Sequence, residues 1–325
     1  KCAEHTVAEQ QTLRCKPDSV LVPRQQVALR QLPQFLRKHV VHCPAMSSRK
    51  AAARYAFAQQ AQPQHHRLAH GQARLDLFVK FLDGLAFGQW AILRESLRDL
   101  PGSTRVEEGG AFAWIPTLTS ISRQAIFFGK SPFFFAPSLG TTSKDESHWR
   151  RFWEDRGLSR AEVEFQLQKQ QEPAGAFFER ILAAAGRPGV RKLAVVISLV
   201  DATLHGSPTG SRGVAALLRD WVSSGSLRSL LAGLLERSYR VALTSDHGNV
   251  QAEGLGKPNL GVVADERGER VLLLPDETIR AQVRQQFPES EPWPSWGLPA
   301  NLLPLLAPGG RAFLAPGASA VVHGG

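Results

Sequence analysis

Several side chains able to bind a metal ion occur in three short stretches of the second half of the chain. They are Asp201 and His205 in DATLH, Asp246 and His247 in SDHGN, and His323 in the final HGG. Asp-His-Gly alone is an ordinary turn sequence, and a single histidine more often has a structural role. Three of the four histidines after residue 70 nevertheless lie in these stretches. Imidazole and carboxylate ligands together suit zinc or manganese better than calcium, so the pattern predicts a metal site.

These stretches follow apolar segments that have the composition of buried strands. The preceding segments are 192–200 (KLAVVISLV), 239–243 (YRVAL) and 320–322, and a fourth apolar segment, 75–82, ends at Asp83. Continuous apolar runs are typical of parallel strands that are covered on both faces. Ligands of open α/β folds bind beyond the carboxyl ends of such strands. We therefore expect Asp83 to lie near these aspartates and histidines.

The strands alternate with helical patterns, which predicts an α/β fold with a mostly parallel central sheet flanked by helices. The apolar run 111–116 is interpreted as a further strand, and shorter strands are expected at 270–274, 311–314 and 320–322. The helix after residue 116 is expected to be capped by Thr119 or Ser120 and to end at Gly129. A threonine at a helix N-terminus faces backbone N–H groups that favour a phosphate, and two-metal phosphoryl transfer is a chemistry that uses such a set.

The first 70 residues differ in composition from the rest. They hold 11 Lys and Arg against 3 Asp and Glu, which accounts for +8 of the net charge of +10. Cys2, Cys15 and Cys43 also lie there, so residues 71–325 contain no thiolate ligand. We expect two parts: a basic lead-in of 1–70, disordered or foreign to the fold, and a catalytic domain of 71–325. The low charge after residue 70 argues against strong nucleic-acid binding by that domain alone.

No apolar run reaches the roughly 18 residues that a membrane-spanning helix needs. The first residues also lack the charged-then-apolar layout of a secretory signal. The sequence is therefore interpreted as that of a soluble, cytoplasmic protein without a membrane partner.

Five motifs in a fixed order resemble the alkaline phosphatase superfamily and, within it, the PglZ domain of BREX phage-defence systems. They are FLDGL (81–85), PTLTSISR (116–123), DATLH (201–205), SDHGN (245–249) and HGG (323–325). The stretches 141–159 and 256–273 are most similar to the type 3 form. The family continues beyond the last motif, so the resemblance also implies that the catalytic domain is truncated at its C-terminus.

The resemblance implies a role for each matching residue. Thr119 would be the nucleophile, in preference to its neighbours Thr117 and Ser120. Two divalent ions, zinc or manganese, would lie on either side of it. One ion would be held by Asp83, Asp246 and His247, and the other by Asp201, His205 and His323. Arg123, one helical turn beyond Thr119, is a candidate to bind a phosphate oxygen. The alternative is that Arg123 is a solvated helix residue without a role in the site. Asn249 is a second phosphate-binding candidate, or a support for the Asp246-His247 turn.

The resulting hypothesis is a metal-dependent phosphohydrolase or phosphodiesterase in BREX-type defence, with nucleic acid among its candidate substrates and other BREX components as partners. The alternative is a scaffold or regulatory component of a defence assembly with a structural or vestigial metal site. A sulfatase is disfavoured because no cysteine follows position 43. A phosphomutase is disfavoured because the stretch between Gly129 and Lys192 is short for a cap domain.

Overall fold

The structure is a computed structural model that describes residues 76–98, 100, 108, 112–169, 171–198, 210–258 and 265–324, with backbone only at 76–82 and 265–268. By its internal contacts the chain divides into two units, of which the second comprises residues 65–109 with 113–325. Nearly all described residues belong to the second unit. None of the helices in the described ranges has the length and apolar character needed to cross a membrane.

The second unit is built around a four-stranded sheet in which every pairing is parallel. Its strands are β1 (Asp76–Leu82), β2 (Val163–Leu167), β3 (Lys192–Ile197) and β4 (Tyr239–Thr244), in the order β2-β3-β1-β4. Leu82 pairs with Ile197 of β3, and Phe81 pairs with Thr244 of β4. The three strands β1, β3 and β4 therefore end at the same edge, as parallel pairing requires.

Helices cover both faces of this sheet. The α-helices of the described residues are α1 (Phe87–Leu93), α2 (Thr119–Phe128), α3 (Asp145–Glu154), α4 (Ala174–Ala185), α5 (Gly210–Ser223), α6 (Ser226–Glu236) and α7 (Glu277–Gln286). The last of these, α7, packs not on this sheet but on the one that contains Leu272, Leu274 and Leu305. Leu193, Val195 and Ile197 of β3 pack against α4, α5 and α6 on one face. Ala194 and Val196 pack against α2 and α3 on the other. This alternation explains the continuous apolar sequence of β3 and confirms the predicted α/β class.

Two smaller sheets complete the second unit. One contains β5 (Val250–Gly254), β10 (Arg311–Ala312) and β11 (Ser319–Val322), with β5 and β11 antiparallel. The other contains β6 (Asp265–Gly268), β7 (Val271–Leu274), β8 (Glu291–Pro292) and β9 (Leu303–Leu306) in the order β6-β7-β9-β8. Val271 and Leu273 of β7 pack with Leu118 and Ile121 at the start of α2. The second of these sheets thus supports the helix that carries Thr119.

Two local expectations were wrong, and one strand was not predicted. The described part of the run 111–116 forms no strand. Neither Thr119 nor Ser120 caps α2: Leu118 holds the cap position without a side-chain hydrogen bond, and Thr119 is the first helical residue. The strand β2 was missed, because the glutamate and glutamine of VEFQL do not produce an apolar run. The end of α2 at Gly129 is confirmed, and its φ of 64° is left-handed backbone that favours glycine.

Candidate active site

The Asp246-His247 turn follows β4 directly and is held to the turn that follows β1. Asp246 Oδ1 accepts hydrogen bonds from the backbone N–H groups of Gly84 and His247, each at 3.1 Å. Ser245 Oγ accepts a third from Leu85 N at 2.9 Å. Both strands end at one edge of the sheet, so residues more than 160 positions apart in the chain meet there. The other carboxylate oxygen, Asp246 Oδ2, lies 3.7 Å from His247 Nε2.

His247 connects this turn to the start of α2. Its Nε2 lies 2.8 Å from Thr119 Oγ1 and 3.7 Å from Asp246 Oδ2. Its Nδ1 lies 3.0 Å from the carbonyl oxygen of Gly248. A carbonyl can only accept, so Nδ1 carries a proton and donates, and in the neutral ring Nε2 then carries none. This is the arrangement that histidine ligands of metal ions usually have, with the second nitrogen donating to a carbonyl or carboxylate.

Asp83 is held from the opposite side by a buried arginine. Arg123 donates from Nη1 to Asp83 Oδ2 at 2.9 Å and from Nε to Asp145 Oδ2 at 2.6 Å. Burial acts to lower the pKa of Arg123, but the charges of Asp145, Asp83 and Asp246 outweigh it and raise that pKa. The guanidinium therefore stays charged and forms ion pairs with two carboxylates at once.

The buried charges of this cluster do not balance. Asp83, Asp145 and Asp246 are each less than 5% exposed, and Arg123 is equally buried. Burial raises the pKa of Asp246, even though Asp83, Arg123 and the Gly84 backbone act to lower it. Burial also raises the pKa of Asp145 to about 6, against the attraction of Arg123. Uncompensated buried carboxylates are costly, and a divalent cation would offset the cost.

The donor set fits such a cation. One ligand atom from each of Asp83, Asp246 and His247 lies within 4.8 Å of the others, and all three residues are buried. Two carboxylates and one imidazole match the ligand preference of zinc or manganese. These three residues are the ones that the resemblance assigns to a single ion, and the structure brings them together beside Thr119.

His323 lies at the same place, while the remaining expected ligands cannot be located. The rings of His247 and His323 stack with their centroids 4.5 Å apart, because β11 ends beside the Asp246-His247 turn. Asp201 and His205 lie outside the described residues. The remaining histidine after residue 70, His148, stacks its ring on that of Phe128 with the centroids 4.5 Å apart.

The two phosphate-binding candidates have protein partners in this structure. Arg123 is occupied by Asp83 and Asp145. Asn249 exchanges hydrogen bonds with Gln89, from Gln89 Nε2 to Asn249 Oδ1 at 3.0 Å and from Asn249 Nδ2 to Gln89 Oε1 at 2.9 Å. Asn249 Nδ2 also donates to the Gly84 carbonyl. These contacts are those of a support for the turns after β1 and β4, which is the alternative that the sequence left open for Asn249.

Sequence reasoning missed Asp145, Gln124 and Gln89, which hold the site residues in place. Asp145 begins α3 within the stretch 141–159 that resembles PglZ proteins, so that resemblance was the one signal that pointed towards it. Gln89 and Gln124 lie within helices and carry no motif of their own. Their roles depend on contacts between distant parts of the chain.

The fold and the sequence both identify the class to which this protein belongs. Solved structures similar to this chain include an inactive variant of murine ectonucleotide pyrophosphatase/phosphodiesterase 5 in complex with AMP, with a TM-score of 0.55, 12% identity, and coverage of 77% of this chain and 83% of that chain. The human protein of that name has a TM-score of 0.53 at 12% identity and the same coverage. At these identities the likeness establishes the fold, which is alkaline-phosphatase-like.

The family follows from the sequence itself. The sequence model described as the BREX system PglZ alkaline phosphatase-like domain matches residues 57–325. The chain therefore belongs to the PglZ family, which confirms the resemblance carried by the five motifs. No curated protein gave a significant match.

Proposed function

We propose that this chain is a metal-dependent hydrolase of phosphate esters that uses Thr119 as its nucleophile. The observation that carries the proposal is the 2.8 Å distance between Thr119 Oγ1 and His247 Nε2, at the edge of the buried cluster of Asp83, Asp246 and His247. A hydroxyl, an unprotonated imidazole nitrogen and two carboxylates at the end of a parallel sheet are the groups that metal-assisted phosphoryl transfer needs.

Asp83, Asp246 and His247 would hold one divalent ion, zinc or manganese. The bound ion would supply positive charge that lowers the pKa of a hydroxyl group and stabilises the oxygens of the phosphoryl group. The family resemblance adds a second ion at Asp201, His205 and His323, of which His323 is the one within the described residues.

The protein itself positions the nucleophile. Thr119 is the first residue of the ten-residue helix α2 and therefore lies at the end of the helix towards which the backbone N–H groups of the first turn point. Those N–H groups and the positive end of the helix dipole favour an anion at that place. Leu118 and Ile121 are fully buried against β7, so the start of the helix is fixed relative to the turn after β4.

The proposed reaction has two balanced steps. Thr119 Oγ attacks the phosphorus atom and loses its proton, the bond from phosphorus to the leaving alcohol breaks, and the alcohol takes up a proton. Water then attacks the phosphothreonine, the bond from phosphorus to Thr119 Oγ breaks, and the hydroxyl is regenerated. The substrates proposed are phosphate mono- and diesters, including nucleic acid, in bacteriophage defence with other BREX components as partners. The murine relative was solved with AMP, which supports a nucleotide-like ester.

The test is hydrolysis of a chromogenic phosphodiester and of the matching monoester by protein reconstituted with zinc or with manganese. Loss of the nucleophile in Thr119→Ala is expected to lower turnover by about 1,000-fold or more. Ser122→Ala is the matched control, because this hydroxyl of the same helix does not line the cavity beside Thr119 and donates instead to the Trp114 carbonyl at 3.2 Å.

Two results would contradict the proposal. Equal loss in both variants would show that Thr119 has no special role. Absence of turnover in wild-type protein that binds its metal would favour the scaffold or regulatory function instead.

A further inference from the structure

A cavity opens between the start of α2 and the loop 140–142, and Thr119 is among its lining residues. Its volume is about 400 Å³, and it is lined by Leu118, Thr119, Ser120, Gly140, Thr141 and Thr142. A volume of this size lies within the range of small-molecule sites. The described residues that line it include three threonines and a serine but no charged side chain. Such a lining suits an uncharged group that carries hydroxyls, while the charged phosphate is accounted for by the cation cluster.

The two walls of this cavity are joined by one fully buried side chain. Gln124, on the second turn of α2, is 0% exposed. Its Nε2 lies within hydrogen-bond distance of three carbonyl oxygens, those of Ser120, Ser138 and Thr141. Ser120 belongs to the helical wall, whereas Ser138 and Thr141 belong to the loop that forms the opposite wall.

The acceptor side of the same carboxamide is also used. Gln124 Oε1 accepts from Ser138 Oγ at 2.7 Å and lies 3.0 Å from His148 Nε2. Burial, together with the charges of Lys144 and Lys130, lowers the pKa of His148, so its ring is neutral and Nε2 carries the proton it donates. Gln124 thereby ties α2, the loop 138–142 and α3 together. A hydrophobic side chain of the same size would fill the space but make none of these bonds.

We propose that the cavity binds the uncharged, nucleoside-sized alcohol portion of a phosphate ester, and that Gln124 is the positioning residue that keeps the cavity open. This inference rests on the proposed function of Thr119 and names the substrate class of the same site. Gln124 fixes the separation of the two walls of the cavity. Its loss should therefore weaken binding of the alcohol portion and leave binding of the phosphate unchanged.

The first measurement is amide hydrogen exchange of the full chain without added metal, which is independent of catalysis. In Gln124→Met, exchange in 138–145 is expected to rise about tenfold, since buried hydrogen bonds that hold the loop are lost. The backbone bonds from Thr141 N to Ser138 O and from Asp145 N to Thr142 O report on this segment. Tyr239→Phe is the matched control: it removes two buried side-chain bonds, to the Ala185 and Val190 carbonyls, at the other end of the sheet. Unchanged exchange in Gln124→Met would overturn the role of Gln124.

The second measurement compares the 4-nitrophenyl ester of thymidine 5′-monophosphate with 4-nitrophenyl phosphate. In Gln124→Met the ratio of kcat/KM for the diester to that for the monoester is expected to fall about tenfold, a size typical of lost pocket contacts. The change should come mainly from KM of the diester. An equal fall for both substrates would overturn the assignment of the cavity to the alcohol portion.

A second variant keeps the proposal testable if Gln124→Met does not fold. Thr141 is exposed and lines the cavity, so Thr141→Phe adds volume to the lining without filling buried space, and the side-chain bond it removes is the exposed one from Ser143 N to Thr141 Oγ1. The same fall in the diester ratio is expected, and an unchanged ratio would contradict the proposal.

The failure of this inference can be separated from failure of the proposed function. If the wild-type protein shows no turnover, binding of thymidine 5′-monophosphate and of inorganic phosphate is compared in metal-loaded protein. Weaker binding of the nucleotide alone in Thr141→Phe would support the cavity, and equal binding by wild type and variant would overturn it.

Discussion

Two carboxylates of this protein each pair with an arginine, yet their pKa values shift in opposite directions. Asp145 lies 2.6 Å from Arg123, and burial raises its pKa to about 6. Glu162 lies 3.0 Å from Arg191, and a backbone hydrogen bond from Ser159, with the Arg191 side-chain bond next, lowers its pKa to about 2. The side chain of Asp145 is 5% exposed and that of Glu162 is 26% exposed. Ion pairing alone therefore does not set the pKa; desolvation and the supply of donors do.

The two pairs also serve different purposes. Glu162 accepts bonds from Ser159 N and Ser159 Oγ, so its charge is satisfied locally within a surface turn. Arg123 must serve both Asp145 and Asp83, and the cluster keeps an excess of negative charge. A buried, unbalanced site of this kind costs folding energy and is typical of functional sites. The buried pair holds Asp83 beside the other two residues of the proposed cation site, and the partly exposed pair stabilises a turn.

The largest difference between the two pairs is expected when each arginine is replaced. Arg123→Met removes the guanidinium that pairs with the two buried carboxylates of Asp83 and Asp145. It should lower the free energy of unfolding by about 3–5 kcal/mol. Arg191→Met breaks a partly exposed pair and should cost at most about 1 kcal/mol. Urea denaturation of both variants without added metal measures the difference. Equal losses would show that burial does not separate the two pairs.

A smaller effect of opposite sign is expected when a carboxylate of the buried cluster is neutralised. Asp246→Asn keeps an oxygen that can accept from Gly84 N and His247 N but removes a charge that burial disfavours. Because the pKa of Asp246 is raised in the folded state, its ionisation costs stability, and the cost is present above the folded pKa and disappears as the pH falls below the unfolded value of 3.8. Without metal the variant should therefore be more stable than the wild type at neutral pH.

The same substitution should reduce the stabilisation that added zinc provides, since ligands stabilise the state that binds them. Thermal unfolding with and without zinc measures both effects. Asp276→Asn is the matched control, because Asp276 caps α7 by accepting from Ile279 N at the protein surface and asparagine can do the same. A zinc-dependent shift in Tm equal to that of wild type would contradict a ligand role for Asp246.

The sequence predicted those parts of the site that depend on strand ends. Asp83, Asp246 and His323 follow strands, and the rule that ligands lie beyond the carboxyl ends of parallel strands places such residues together. Thr119 or Ser120 was expected to cap α2, but Thr119 Oγ1 lies 2.8 Å from His247 Nε2 and Ser120 Oγ donates to the Leu139 carbonyl. Local capping rules do not account for a competing partner from a distant part of the chain.

The supporting residues could not be predicted for the same reason. Arg123 is separated from Asp83 by 40 residues and from Asp145 by 22, and no periodic pattern connects them. Glu162, by contrast, lies three residues after Ser159 in a capping box that the sequence displays directly. Interactions within one turn can be predicted from spacing, whereas those of the buried cluster require the packed sheet and helices.

The smallest effect on stability is expected when Glu162 of the partly exposed Glu162–Arg191 pair is replaced, and it depends on pH. The folded pKa of Glu162 lies below its ordinary value of 4.5, so ionised Glu162 stabilises the protein above that value, and the contribution is lost as the pH falls towards about 2. In Glu162→Gln this contribution is absent at every pH. The difference in the free energy of unfolding between wild type and variant should therefore be constant from about pH 7 to about pH 5.5 and should narrow in more acidic solution. Urea denaturation across this range measures it. A difference that stays the same down to the acid limit of folding would show that the Ser159 and Arg191 bonds do not favour the ionised form, and the contrast with Asp145 would then rest on the buried cluster alone.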